Sequence, residues 1–310
     1  MTNIILGTWS WGAGMFGGDS VFGVHTDENT LQPVFDAAEE AGVRTWDTAT
    51  AYAMGESERI LGTFIAGKDR SKFTISTKFT PQLAEMYNNS VEDMADASME
   101  RMGIDYIDIY WIHNSADVER WTPGLIPLLK SGKVRRVGVS NHDLAQIKRA
   151  DEILSAAGFR VSAVQNHFSL LYRNSEREGI LDYCRQNNIE FWGYMVLEQG
   201  ALSGKYNAAN PLPADSDRGR KYNPILQELE NLTSALTAIG KRHGLTCSQT
   251  AVAWAVTKGV KPIVGATKPY HVTEAAQAAS VILTSDEVAE LDRLADAAGI
   301  DARGGWEGRA

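Results

Sequence analysis

Val43-Arg44-Thr45-Trp46-Asp47-Thr48-Ala49-Thr50-Ala51-Tyr52 reads as a short strand, Val43–Asp47, that ends on a carboxylate and opens into a loop carrying a tyrosine. Strand side chains repeat every two residues, so Thr45 and Asp47 share one face. The same design recurs further along. Phe73–Thr77 closes on Lys78, and Ile107–Ile112 closes on His113, with Trp111 and His113 on one face. The remaining strand candidates are Ile4–Thr8, Val134–Val139, Ser162–Gln165, Glu190–Gly193 and Pro262–Val264. Amphipathic stretches lie between them: Asn29–Ala41, Glu56–Ala66, Val91–Met102, Leu144–Ala157 and Glu176–Asn187. The strands follow one another at about thirty residues, the length of one βα unit. Eight such units predict an α/β chain folded as a single (β/α)8 TIM barrel over residues 1–310. In that architecture the strand ends gather functional side chains at one mouth.

Two departures from the regular spacing are expected to be features of the barrel. A long loop, Asn207–Asn223, follows the seventh strand; loops of this length commonly act as lids or tips. An extra helix, Cys247–Thr257, precedes the eighth strand, and Thr246-Cys247-Ser248-Gln249 reads as its capping box.

Composition narrows the function. The net charge of −9 argues against nucleic acid or an anionic membrane surface as a partner. No apolar run reaches the length of a membrane span. Met1-Thr2-Asn3-Ile4 lacks the basic and apolar regions of a signal peptide, and Cys184 and Cys247 read as two reduced, buried thiols. Cytoplasm is therefore the expected compartment. The six histidines form no pair at ligand spacing with acidic partners at strand ends, so no metal is expected. Gly12-Ala13-Gly14-Met15-Phe16-Gly17 fits a dinucleotide fingerprint in letters only, because no helix opens directly behind it. These glycines are expected to shape a mouth loop.

Asp47, Tyr52, Lys78 and His113 together suit carbonyl reduction. Tyrosine is a weak acid, with a pKa of roughly 10. A neighbouring ammonium stabilises phenolate, and a carboxylate beside the lysine keeps that lysine charged. A histidine nearby can donate to a carbonyl oxygen and orient it, which completes a site able to protonate an oxyanion.

Trp46-Asp47-Thr48-Ala49-Thr50-Ala51-Tyr52, with Gly55-Glu56-Ser57-Glu58 and Leu61-Gly62, resembles the aldo-keto reductase signature. So do Ser76-Thr77-Lys78 and Asp105 through His113. Gly132 through Asn141, Gln165-Asn166 and Gly200 through Tyr206 continue the match, which runs in register from about Leu6 to Glu274. The resemblance implies Tyr52 as general acid, Lys78 lowering its pKa, Asp47 holding Lys78, and His113 orienting the substrate carbonyl. It also implies a nicotinamide reductant.

The cofactor contacts implied are Trp9, Asp47, Ser140, Asn141, Gln165, Tyr194, Lys205, Gly265, Lys268 and Glu274. Ser140, Asn141 and Gln165 would bond the carboxamide, and Tyr194 would stack on the nicotinamide. A helix N-cap for Leu144–Ala157 is a competing role for Ser140-Asn141. Arg218, Arg220 and Lys221 are candidates to close over the pyrophosphate. Met195 stands where the family has serine, His271 where it has arginine, and Ala275 where it has asparagine. A guanidinium's bidentate grip on phosphate is not reproduced by His271. NADPH (NADP+) is the expected coenzyme, with NADH an open alternative.

Trp9, Trp11, Tyr52 and His113 are the expected substrate contacts, with Phe16, Phe79 and Trp306 as further walls; Trp111 and His167 are read as structural. The expected activity is reduction of a small-molecule aldehyde or ketone to an alcohol. The competing reading is a cofactor-sensing binding subunit on the same fold with little turnover. No sequence pattern fixes the oligomeric state.

Overall fold

The computed structural model describes residues 3–304. Eight parallel strands close in sequence order into one barrel: β1 (Ile5–Gly7), β2 (Thr45–Asp47), β3 (Thr74–Phe79), β4 (Ile107–Ile112), β5 (Val134–Ser140), β6 (Ala163–His167), β7 (Glu190–Tyr194) and β8 (Lys261–Gly265). Pairing of β1 with β8 completes the ring. The expected strands are all present, with ends shifted by a residue or a few. β3 runs on through Lys78 to Phe79, so Lys78 lies within the strand rather than after it.

The barrel interior is filled by Ile5, Ile109, Trp111, Ala163, Trp192 and Ile263, with Tyr194 packed against them. Trp111 and Trp192 meet edge to face at 5.1 Å. Gly138 makes room for them: a Cβ there would lie 2.3 Å from the Trp111 ring. Trp111 is thus a core residue, as expected. Beneath this layer, Glu190 accepts from Trp192 Nε1 (2.8 Å) and pairs with Arg136 (2.9 Å) and Lys261 (3.1 Å).

The outward strand faces pack on the helices. Trp46 stacks on Phe35 at 5.2 Å, and Trp11 contacts Trp46 and Phe64 in the same layer. The helix Glu28–Glu40 starts from a capping box between Asp27 and Thr30. Cys247–Thr257 starts from the expected box, in which Thr246 accepts from Gln249 N and Gln249 reaches back. Both cysteines are buried and unpaired.

Three helical expectations change. Glu176–Asn187 is two helices, Asn174–Arg177 and Ile180–Gln186, because Gly179 turns left-handed between them (φ 77°). The long loop carries a helix, Asp217–Tyr222, and a further helix, Glu230–His243, precedes Cys247–Thr257. The glycine-rich mouth loop is followed at once by a short helix, Gly18–Phe22. None of the described helices is long and apolar enough to cross a membrane.

Candidate active site

β2, β3 and β4 bring Asp47, Lys78 and His113 to the same mouth, and the turn after β2 carries Tyr52 over them. Lys78 is fully buried. Its Nζ donates to Asp47 Oδ2 (2.7 Å), to the Thr48 carbonyl (2.7 Å) and to Tyr52 Oη (3.3 Å), which uses all three ammonium protons. Asp47, nearly as buried, also accepts from Ser76 Oγ (2.5 Å) and Gln165 Nε2 (3.1 Å). Two buried charges are tolerated when paired and hydrogen-bonded in this way.

Burial pushes the Tyr52 pKa above 10.0; Lys78 pulls it down by less, and Asp47 raises it again. Lys78 thus lowers the Tyr52 pKa as expected, but burial of the phenol exceeds that lowering and the net direction is upward. Burial works against the Lys78 charge, but Asp47 and Tyr52 outweigh it and hold its pKa above the ordinary value. His113 is driven well below 6.5 by burial and then by Lys78, so its ring is neutral. Thr80 Oγ1 lies 2.9 Å from His113 Nδ1, and the Tyr52 and His113 rings meet edge to face at 6.0 Å.

The backbone after Tyr52 is the most unusual in the site. Ala53 (φ 47°), Met54 (φ 52°) and Gly55 (φ 90°) are consecutively left-handed before the helix Glu56–Ile65 begins. Such conformations are unfavourable for residues with a Cβ and persist where surroundings fix them. Here the helix start is held by Glu58, which is fully buried and accepts from Thr77 Oγ1 (2.5 Å) and Arg101 Nε (2.6 Å).

A second group of residues lies across the barrel from β2. Ser140 is buried and accepts from Asn141 Nδ2, which also donates to the His113 carbonyl at 2.9 Å. Tyr194 Oη donates to Asn141 Oδ1 (2.5 Å), and its ring lies parallel to His167 at 5.5 Å. The helix Leu144–Ser155 is capped by Asp143 with Gln146, not by Ser140 or Asn141, which removes the competing N-cap role. His167 is buried against Glu198, as a structural histidine would be.

Towards β8, burial and then the charges of Lys268 and Lys205 lower the His271 pKa. Gly265 ends β8 beside open space, a Cβ there meeting nothing nearer than Ser10 Oγ at 3.9 Å. The Glu274 carbonyl accepts from Gln249 Nε2. Arg218 donates to the Gln199 carbonyl in the loop after β7. Arg220 is turned to Asp215 and Asp217, and Lys221 to the Ala302 carbonyl.

The aromatic walls divide. Trp9 lies parallel to Tyr52 at 5.9 Å and so lines the mouth, whereas Phe16 is 53% exposed and its ring meets none of the tetrad. Trp11 does not: it is fully buried, donates from Nε1 to the Ala266 carbonyl (2.9 Å) and belongs to the layer between barrel and helices. Phe79 is also excluded, because it alternates with inward Lys78 and packs outward on Trp121 at 4.9 Å. Trp306 lies outside the described residues. Ser76 and Thr80 were missed in the sequence, although both share the face of Lys78 by simple alternation.

Comparison with known proteins agrees with this geometry. The model described as "Aldo/keto reductase family" matches residues 3–296. The chloroplastic pyridoxal reductase of Arabidopsis thaliana is 32% identical over 93% of this chain and 82% of its own length. The Schizosaccharomyces pombe protein named aldo-keto reductase yakc [NADP(+)] is 29% identical over 92% of this chain and 88% of its length. A crystal structure of an aldo-keto reductase from Klebsiella pneumoniae in complex with NADPH superposes with a TM-score of 0.72 at 25% identity. That match covers 94% of this chain and 90% of the other.

Proposed function

This chain belongs to the aldo/keto reductase family and is an NADP(H)-dependent oxidoreductase of carbonyl groups, and within that family we propose a carbonyl reductase of alcohol-dehydrogenase type. Its substrates are small aldehydes or ketones, reduced to alcohols, with the reverse oxidation available from the alcohol. We place it in the cytoplasm, a reading supported by the two buried, unpaired thiols, and take residues 1–310 as one domain.

The observation that carries the reading is the Lys78 ammonium, fixed by Asp47 and Thr48 and aimed at the Tyr52 oxygen. Tyr52 is the general acid: its hydroxyl proton passes to the carbonyl oxygen as negative charge develops there. Lys78 then faces the phenolate left behind, and Asp47 keeps Lys78 charged. His113 is neutral, and in the tautomer that carries its proton on Nε2 the Nδ1 atom accepts from Thr80 Oγ1 while Nε2–H donates to the carbonyl oxygen and sets its angle. Trp9 packs along Tyr52 and forms a wall beside the phenol.

The residues at the mouth fit a nicotinamide dinucleotide. Tyr194 offers a flat ring beside the polar atoms of Ser140, Asn141 and Gln165, Gly265 leaves open space, and Lys205 and Lys268 bring positive charge to its far side. When bound, the nicotinamide supplies the hydride. The intact tetrad geometry favours turnover over a purely cofactor-sensing role.

The test is NADPH consumption with a panel of aldehydes and ketones, with the alcohol products identified. Stoichiometric alcohol from at least one carbonyl class supports the reading. Tight NADPH binding with no alcohol from any carbonyl would contradict it.

A further inference from the structure

Behind the Tyr194 ring lies a carboxylate that the mechanism above does not use. Glu198 is fully buried, in a loop that is left-handed at three non-glycine residues: Met195 (φ 62°), Glu198 (φ 46°) and Gln199 (φ 52°). Such a backbone persists only where its surroundings over-determine it. Here the carboxylate provides the anchor. It accepts from His167 Nε2 (2.7 Å), from Tyr222 Oη (2.5 Å) and from Ser169 Oγ. Burial works to raise its pKa, but His167 and the bonds from His167, Ser169 and Tyr222 outweigh that and leave it below the ordinary carboxylate range. A buried anion matched by donors from several elements ties those elements together.

The elements tied are far apart in sequence. Tyr222 ends the helix Asp217–Tyr222 of the long segment after β7, whereas His167 ends β6. The His167 ring lies parallel to Tyr172 at 4.4 Å and to Tyr194 at 5.5 Å. Tyr194 in turn bonds Asn141, and Asn141 bonds the His113 carbonyl. Contact is therefore continuous from the long segment to the tetrad.

We propose that Glu198 is a positioning residue that couples the seating of the helix Asp217–Tyr222 to the orientation of the Tyr194 ring. Dinucleotide binding and helix seating then favour each other, since coupling between two sites is reciprocal. The proposal rests on the reading of Tyr194 as the ring on which the nicotinamide stacks.

The experiment uses the full chain, Glu198→Gln, Tyr222→Phe and the double variant. NADPH affinity is read from coenzyme fluorescence, and amide hydrogen exchange over residues 217–222 is followed with and without saturating NADPH. In the wild type, NADPH slows that exchange about tenfold or more. In Glu198→Gln at saturation the slowing falls below about threefold and the Kd weakens about five- to tenfold; Tyr222→Phe gives part of both effects. The double variant is no worse than Glu198→Gln, because both changes remove one linkage.

Wild-type protection and Kd in Glu198→Gln, or additive losses in the double variant, overturn the proposal. If Glu198→Gln does not fold, Tyr222→Phe decides: weakened binding and protection support the coupling, and unchanged values overturn it. A wild type that binds no NADPH overturns the cofactor reading and this inference with it. A wild type that binds and turns over, with no loss in the variants, overturns the inference alone.

Discussion

The ammonium of Lys78 lies 3.3 Å from the hydroxyl of Tyr52, and yet Tyr52 holds its proton more tightly than free tyrosine does. Burial of the phenol outweighs the cation. The acid is therefore protonated at every pH below about 10, and His113, held well below 6.5, is neutral throughout the neutral range. Reductive kcat/KM should be flat between about pH 7 and 9, while alcohol oxidation, which needs the phenolate, should still be rising at pH 9. Stopped-flow or steady-state pH profiles in both directions check this. A basic limb in the reductive profile near pH 8 would contradict it.

Trp11 belongs to the core rather than to the substrate. Trp11→Phe loses the bond to the Ala266 carbonyl and part of a buried ring. It should cost about 1–3 kcal/mol of stability and leave KM for any carbonyl substrate within about twofold. Urea unfolding and steady-state kinetics on one preparation separate the two effects.

His142 should make the fold acid-sensitive. Burial holds its pKa at about 4, against a bond to the Ser140 carbonyl that raises it. The unfolded chain takes up this proton below about pH 6.5, whereas the folded chain does so only near pH 4. The contribution is therefore complete above pH 6.5 and is lost as the pH falls towards 4. At pH 5 the loss is about 2 kcal/mol. Comparing urea midpoints at pH 7 and pH 5 for wild type and His142→Gln isolates it: the variant should lose less stability on acidification.

Lys268 should carry coenzyme discrimination more than His271 does. Burial, then Lys268 and Lys205, lower the His271 pKa, so that ring brings no charge at pH 7, whereas the Lys268 side chain is exposed. Lys268→Ala should weaken NADPH binding about fivefold and leave NADH unchanged. Equal losses for both coenzymes in a fluorescence titration would contradict a discriminating role for Lys268.

Much of this was legible in the chain because period-two and βα spacing signals are local. They placed all eight strands, and alternation put Asp47, Lys78 and His113 on inward faces. The same rule, applied one step further, would have found Ser76 and Thr80 and rejected Phe79. Trp11 was misread because it follows β1 in an irregular turn, where no period says which way a ring points. The sign of the Tyr52 shift depends on how deeply the phenol is buried, a tertiary quantity. Glu198 was invisible for a similar reason: its donors lie 31, 29 and 24 residues away.

The most direct test is Tyr52→Phe, which removes the proton donor and keeps the ring against Trp9. Single-turnover NADPH oxidation with the best aldehyde of the panel should fall about a hundred- to ten-thousandfold, with the NADPH Kd within about twofold of wild type. A variant that retains wild-type single-turnover rates would show that Tyr52 is not the acid.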